Sequence, residues 1–290
     1  MSIPRRSIDE FIFLHISESE IKDIVVEGPY DQSIMIEFLK TYNQDNLSVW
    51  TVDSFEINDE SVDGGNQTSN NRERIVYLAN YFEKNVKKAG TAFFLIDRDF
   101  DLSGEVAEQS RDLHCTDYSC MDMYCFTESC FSRFLGIYCN KPHWQASDVM
   151  KCISEPLQTM FAIRHAARKL NIKLDWIDKI VCVNLSGAKA TLDVEEFVRR
   201  LLSKTGSLDR MEELLEQISS THAKFLPDPR FHIHGHDLTR MLKYYLKKNG
   251  VGKAAESTLL IARALALGLN KDDLMQYPLF SAVDEFASTA

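Results

Sequence analysis

Short apolar runs alternate with amphipathic stretches over the first 125 residues, and this alternation predicts strands and helices in turn. IVV at 24–26 is a β-branched run that breaks at Gly28 and Pro29. From about Asp31 the period becomes helical, with Ile34, Ile36 and Leu39 directed at a sheet. Asp31 is placed as the N-cap, where a side-chain oxygen accepts first-turn amides. LSVWTVDSFEI (47–57) reads as a second strand, and the polar, glycine-containing NDESVDGGNQTSNN after it reads as a loop. RERIVYLANYFEKNVKKAG (72–90) is helical by period, with lysines in its last turn and Gly90 as its stop. It runs directly into TAFFLIDRDFD, whose apolar stretch fits a buried parallel strand. Strand, helix, strand, helix, strand in this order implies right-handed crossovers in an α/β layer.

Further along, a short strand near 112–116 precedes a helix starting near Tyr118 or Ser119. Helices are predicted over 147–170, 192–203, 208–219, 237–248 and 253–268, with strand-like segments inside 176–187 and 230–237. The resulting expectation is an α/β fold with a mainly parallel sheet flanked by helices. Residues 1–20 form an N-terminal extension, 21–125 the core, and 126–290 a mainly helical C-terminal part able to complete the sheet.

Composition narrows the class. With 44% hydrophobic and 26% charged residues in 290, the chain is an ordinary globular protein rather than a disordered one. No run reaches the roughly 18 apolar residues that span a bilayer, and acidic residues interrupt the start before it resembles a signal sequence; a cytoplasmic protein with no membrane partner is expected. LLIARALALGL (259–269) reads as a buried helix or an interface. The seven cysteines are odd in number, and those at 115, 120, 125 and 130 lack CxxC spacing, so reduced thiols are expected. A net charge of −10 argues against unspecific nucleic-acid binding. Yet residues 141–253 carry an excess of Lys and Arg, while the rest is strongly acidic. A positive face could hold a phosphate backbone; ordinary scatter over solvated helices gives the same composition.

Candidate chemistry sits where the predicted parallel strands end, the place where open α/β sheets bind ligands. Glu27 follows IVV, and Asp97 follows FFLI. Asp99 lies two residues on, so an extended chain points both aspartates the same way, and Asp101 continues the alternation. Carboxylates facing one cleft repel unless a cation lies among them. Magnesium suits such oxygen ligands and bridges to phosphates, with manganese as the other candidate ion. For phosphodiester hydrolysis, Asp97 and Asp99 are the foremost ligands, while Glu27 is a ligand or a proton relay.

VVEGPYD, followed about seventy residues later by FFLIDRDFD, resembles the TOPRIM domain of topoisomerases, bacterial primases and OLD-family nucleases. The resemblance covers roughly residues 20–125 and implies a magnesium-binding triad of Glu27, Asp97 and Asp99, with Gly28 in the turn. CTDYSCMDMYCF is similar to a TDYxxxE motif of TOPRIM proteins encoded beside ABC-type ATPases, with Asp122 where those usually have glutamate. HGHDLTRMLKYYL resembles their later G-H/K-D-L segment, near a final sheet strand, through Gly235, His236, Asp237 and Leu238. Within that group the combination looks like the TOPRIM effectors of PARIS-type anti-phage defence. What this implies is a nuclease restrained by a partner ATPase sensor and, once released, cutting host transfer RNA.

Other readings compete. His232, His234 and His236 alternate and could bind zinc from a strand face, or simply precede a helix capped by Asp237. His236 and Lys189, the latter in NLSGAKAT, are candidate phosphate contacts; the GxxxxGK[ST] pattern of a P-loop is missing. Arg98 should point away from the aspartates toward an internal carboxylate. Tyr118, Tyr124, Phe126, Phe131 and Phe134 suit packing better than base stacking, and Cys120, Cys125 and Cys130 suit packing better than thiol catalysis. The alternative to a nuclease is a non-catalytic TOPRIM-like module that docks to an ATPase or to a second copy of itself. A phosphatase or phosphotransferase using the DxD strand end is the third, and it leaves the VVEG turn unexplained.

Overall fold

The computed structural model describes residues 5–18, 20–42, 45–57, 70–102, 110–177, 180–187 and 189–289. The expected loop lies largely outside them, at 58–69. Two compact units are present: a sheet unit of Met1–Arg98, Ser103–Asp117 and Asn270–Ala290, and a helical unit of Asp99–Leu102 and Tyr118–Leu269.

The sheet unit opens with β1 (Arg6–Ser7) and α1 (Ile8–Ser17), whose N-cap Ser7 accepts the Glu10 amide at 3.1 Å. Next come β2 (Lys22–Val26), α2 (Pro29–Leu39), β3 (Leu47–Thr51), β4 (Phe55–Glu56), α3 (Asn71–Asn85), β5 (Ala92–Ile96) and β6 (Leu113–Cys115). Four strands form one parallel sheet in the order β3-β2-β5-β6, and β1 pairs in parallel with β4. Both central strands are buried throughout, which explains their unbroken apolar runs. Alternate side chains separate the two faces. Val25, Ala92, Phe94 and Ile96 join Phe11 of α1 and Phe82 of α3 in one core, where Phe82 and Phe94 meet edge to face at 5.5 Å. Asp23, buried within β2, is satisfied by the Trp50 indole at 2.8 Å and by His15 at 3.0 Å.

The helical unit contains α4 (Glu128–Arg133), which runs on into a π-helical turn at Phe134–Tyr138, and the long α5 (Ala146–Lys169). An antiparallel hairpin, β7 (Val183–Ser186) and β8 (Lys189–Leu192), leads to α6 (Val194–Thr205), α7 (Met211–His222), α8 (Gly235–Lys248) and α9 (Thr258–Ala266). Helix α5 packs against α7, α8 and the hairpin. The chain then supplies α10 (Lys271–Leu274) and α11 (Pro278–Ser288) to the sheet unit. Phe280 of α11 packs on Phe38 of α2 at 4.9 Å, and Phe286 packs on Phe93 at 5.5 Å. Buried Lys22 donates to the Phe286 carbonyl and to Thr289 Oγ1, capping the carboxyl end of α11.

The expected α/β fold with a parallel sheet, flanking helices and a helical C-terminal region is present. Several local expectations change. Helix α2 starts at Pro29 rather than Asp31, because proline suits the first helical position. The 47–57 strand is split by a 3-10 turn at Val52–Ser54. Helix α3 ends at Asn85, ahead of Gly90. A 3-10 turn at Met121–Cys125 stands where a helix was expected from Tyr118 or Ser119. Residues 229–232 form a 3-10 turn opened by Pro229, so the expected strand at 230–237, and with it the strand face for His232, His234 and His236, does not form. All seven cysteines are free thiols.

Candidate functional site

Parallel pairing of β2 with β5 brings their carboxyl ends together, and Glu27 and Asp97 are the first residues beyond them. Glu27 Oε1 accepts the Asp97 backbone amide at 2.8 Å. Both residues are half-buried. The Glu27 carbonyl accepts Asn71 Nδ2 at 2.8 Å, and Arg72 donates to the Asp97 carbonyl. The first turn of α3 therefore ties the two strand ends. Asn71 and Arg72 were missed as site residues, although Asn70 and Glu73 carry the N-x-x-E spacing of a capping box that places the helix start here.

Gly28 has φ −146° and ψ 172°, extended backbone open to any residue. The expectation that this glycine permits a tight turn is therefore corrected: a β-carbon there would meet Asp31 Oδ2 at an ordinary 3.8 Å. Asp31 is not the N-cap; it sits in the first turn, and its carboxylate accepts the Gly28 amide at 3.1 Å.

The expected alternation of Asp97, Asp99 and Asp101 on one extended strand does not hold. Strand β5 ends at Ile96, and Asp99 has φ +55°, in the left-handed region, so the chain turns between the aspartates. The turn is fixed within each unit. In the sheet unit, Thr116 Oγ1 accepts the Arg98 amide at 3.0 Å and the Thr116 carbonyl accepts Arg98 Nε at 3.3 Å. In the helical unit, the Asp99 amide donates to the Ser119 carbonyl at 2.8 Å. The DRD and TDYS segments are thus mutually hydrogen-bonded. Asp101 follows the turn and is half-buried.

Asp117 and Asp122, both in the TDY segment, meet helix starts. Asp117 Oδ2 accepts the Leu279 amide at 3.3 Å, at the first turn of α11. Asp122 lies against the first residue of α8, where a β-carbon on Gly235 would fall 2.2 Å from Asp122 Oδ2. Burial raises the Asp122 carboxyl above its ordinary range, against the opposing pull of His236 and Cys120. Asp122 thus packs as a helix anchor.

His236 is exposed beside this anchor in the first turn of α8. Asp237 is not the N-cap. It is wholly buried and takes two bonds from Arg164, at 2.8 and 3.0 Å, and one from Trp176 at 3.2 Å. Burial opposes its charge, but the Arg164 guanidinium holds it below the usual carboxylate range. Lys189 projects from the hairpin and pairs with Glu155 at 3.4 Å.

The described residues thus unite Glu27 with Asp97 and Asp122 with His236. Among them, no group of three or more His, Cys, Asp or Glu side chains is placed to hold a metal ion. Glu27 and Asp97 nevertheless fit magnesium in donor chemistry, since that ion commonly takes one or two carboxylates and completes its shell with water and phosphate oxygens. No described helix is long and apolar enough to cross a membrane. Compared with protein-family models the chain matches none, and compared with curated proteins it also matches none.

Proposed function

We propose that the chain is a magnesium-dependent nuclease that hydrolyses phosphodiester bonds, with host transfer RNA as its substrate and a partner ATPase as its restraint. The observation that carries this reading is the bond of 2.8 Å from the Asp97 backbone amide to the Glu27 carboxylate, which sets the two residues side by side at the carboxyl ends of adjacent parallel strands. The resemblance of VVEGPYD and FFLIDRDFD to TOPRIM motifs supports the same chemistry and supplies the substrate, the partner, the cytoplasmic setting and the defence role.

Glu27 and Asp97 would hold the ion, with Asp99 as the further ligand expected from the motif. When bound, magnesium supplies activation of a water and charge stabilisation on the oxygens of an in-line displacement. The chain's own contribution is orientation. Asp97 N–H fixes one Glu27 oxygen, while Asn71 and Arg72 pin the backbone carbonyls behind both carboxylates. Glu27 also serves as the proton relay.

A non-catalytic docking module is the second reading, favoured by the lack of any three-residue donor group among the described residues. End-labelled small RNA and plasmid DNA, incubated with the purified chain and Mg²⁺ or Mn²⁺, separate the two. Discrete RNA fragments that vanish with Glu27→Gln support the nuclease; intact polymers, with and without the partner ATPase, support the docking module.

A further inference from the structure

Most described cations of the helical unit that reach an acidic side chain are neutralised locally. Lys189 pairs with Glu155, Arg199 and Arg200 with Glu196, Lys204 with Asp175, Arg210 with Glu213, and Arg164 with Asp237. Arg168, Lys169 and Lys224 are exposed and, like several other cations of this unit such as Lys151, Lys247 and Arg263, form no ion pair among the described residues; their position sets them apart. The three gather: Arg168 and Lys169 lie one turn beyond His165 in α5, Lys224 lies three residues beyond Thr221 of α7, and His165 and Thr221 are in direct contact. His165 itself is fixed by Thr221 Oγ1 at 3.1 Å, which ties the end of α5 to the end of α7.

The group extends toward the DRDFD segment. The Arg168 guanidinium stands 5.9 Å from the Phe100 ring centre, and Phe100 packs on Phe161 at 4.9 Å and faces His234 at 6.1 Å. Phe100 is half-buried and follows Asp99 directly. One continuous stretch of the helical unit therefore presents three unpaired cations, an aromatic ring and a candidate ligand carboxylate.

We propose that Arg168, Lys169 and Lys224 form a docking surface for the phosphate backbone of RNA, delivering a strand past Phe100 to Asp99. The identity of the polyanion rests on the nuclease reading above. In a chain of net charge −10, clustered unpaired cations concentrate the attraction for a polyanion that the molecule as a whole repels. The cations also lie at the ends of α5 and α7, where positive charge complements the helix dipoles. That role affects stability alone, whereas backbone binding governs affinity and its dependence on salt.

The test is fluorescence anisotropy of labelled bulk transfer RNA with the full chain in EDTA, from 50 to 200 mM KCl, compared with R168E/K169E/K224E. The expected result is a loss of affinity of about tenfold or more and a log–log salt slope shallower by about 2, as for two or three lost phosphate contacts. The milder R168Q/K169Q/K224Q replaces the charge reversal if that variant melts early. Unchanged affinity and slope in the variant, or no binding by the parent chain, overturns the proposal. Binding with no magnesium-dependent cleavage, both with and without the partner ATPase, overturns the nuclease reading and leaves the surface standing; cleavage that persists with unchanged binding in the variant does the reverse.

Discussion

Glu27 Oε1 accepts the backbone amide of Asp97 at 2.8 Å, so a side chain at the end of one strand completes the hydrogen bonding of its neighbour. Glu27→Gln keeps an acceptor for that amide but loses the charge. Its melting temperature should stay within a few degrees of the parent, while cleavage falls by about 100-fold or more. Glu27→Ala removes the acceptor as well and should cost about 1 kcal/mol more in urea denaturation. Normal cutting by either variant would sink the assigned role.

Gly235→Ala should disturb α8, since its β-carbon collides with Asp122. A loss of about 1–3 kcal/mol is expected from overpacking. Adding Asp122→Gly, which also removes the Asp122 β-carbon 2.9 Å from the new one, should restore most of it, giving a non-additive double-mutant cycle. Additive losses would show that the two positions are not in contact.

Replacing buried Asp237 by Ala strands the half-buried Arg164 guanidinium and should cost about 3 kcal/mol, the low end for a broken buried pair. Urea unfolding measures this directly. A loss below about 1 kcal/mol would contradict the buried, bidentate pairing.

Stability should fall as pH drops below about 6.5. Burial pushes His232 and His234 down to about 4, so between those values the unfolded chain binds protons that the folded one refuses. Unfolding free energy then rises with pH, each histidine contributing a slope of up to about 1.4 kcal/mol per pH unit. Asp122, raised by burial, acts in the opposite direction above its ordinary value of 3.8, while Asp237, held low, loses its contribution only below that value. Two lowered histidines outweigh one raised carboxyl. Urea midpoints at pH 7.5, 6 and 5 test the sign, and His234→Phe should flatten the dependence.

Much of this architecture was readable from local pattern. The runs around Val25 and Phe94 are apolar without interruption because both sheet faces are covered, and the periods of α5 to α8 are amphipathic because each helix buries one side. Glu27 and Asp97 were found because strand ends are marked by the loss of apolar character. Other features were hidden for particular reasons. The left-handed Asp99 breaks a side-chain alternation that spacing alone takes for granted. His232 and His234 alternate like strand residues, but Pro229 opens a 3-10 turn that takes in His232. The partners of Asp117 and Asp122 lie more than a hundred residues away, at Leu279 and Gly235, and no local pattern announces them.

Helix α11, which packs Phe280 and Phe286 over Phe38 and Phe93, follows the strands it covers by the whole length of the helical unit. During translation at about 5–20 residues per second, one side of the sheet must wait several seconds or longer without its lid. The nascent chain thus passes through a stage with an uncovered aromatic surface, when a chaperone has its best opportunity to bind and when interruption of synthesis is most dangerous. A stop placed after Leu269 would make that passing stage permanent.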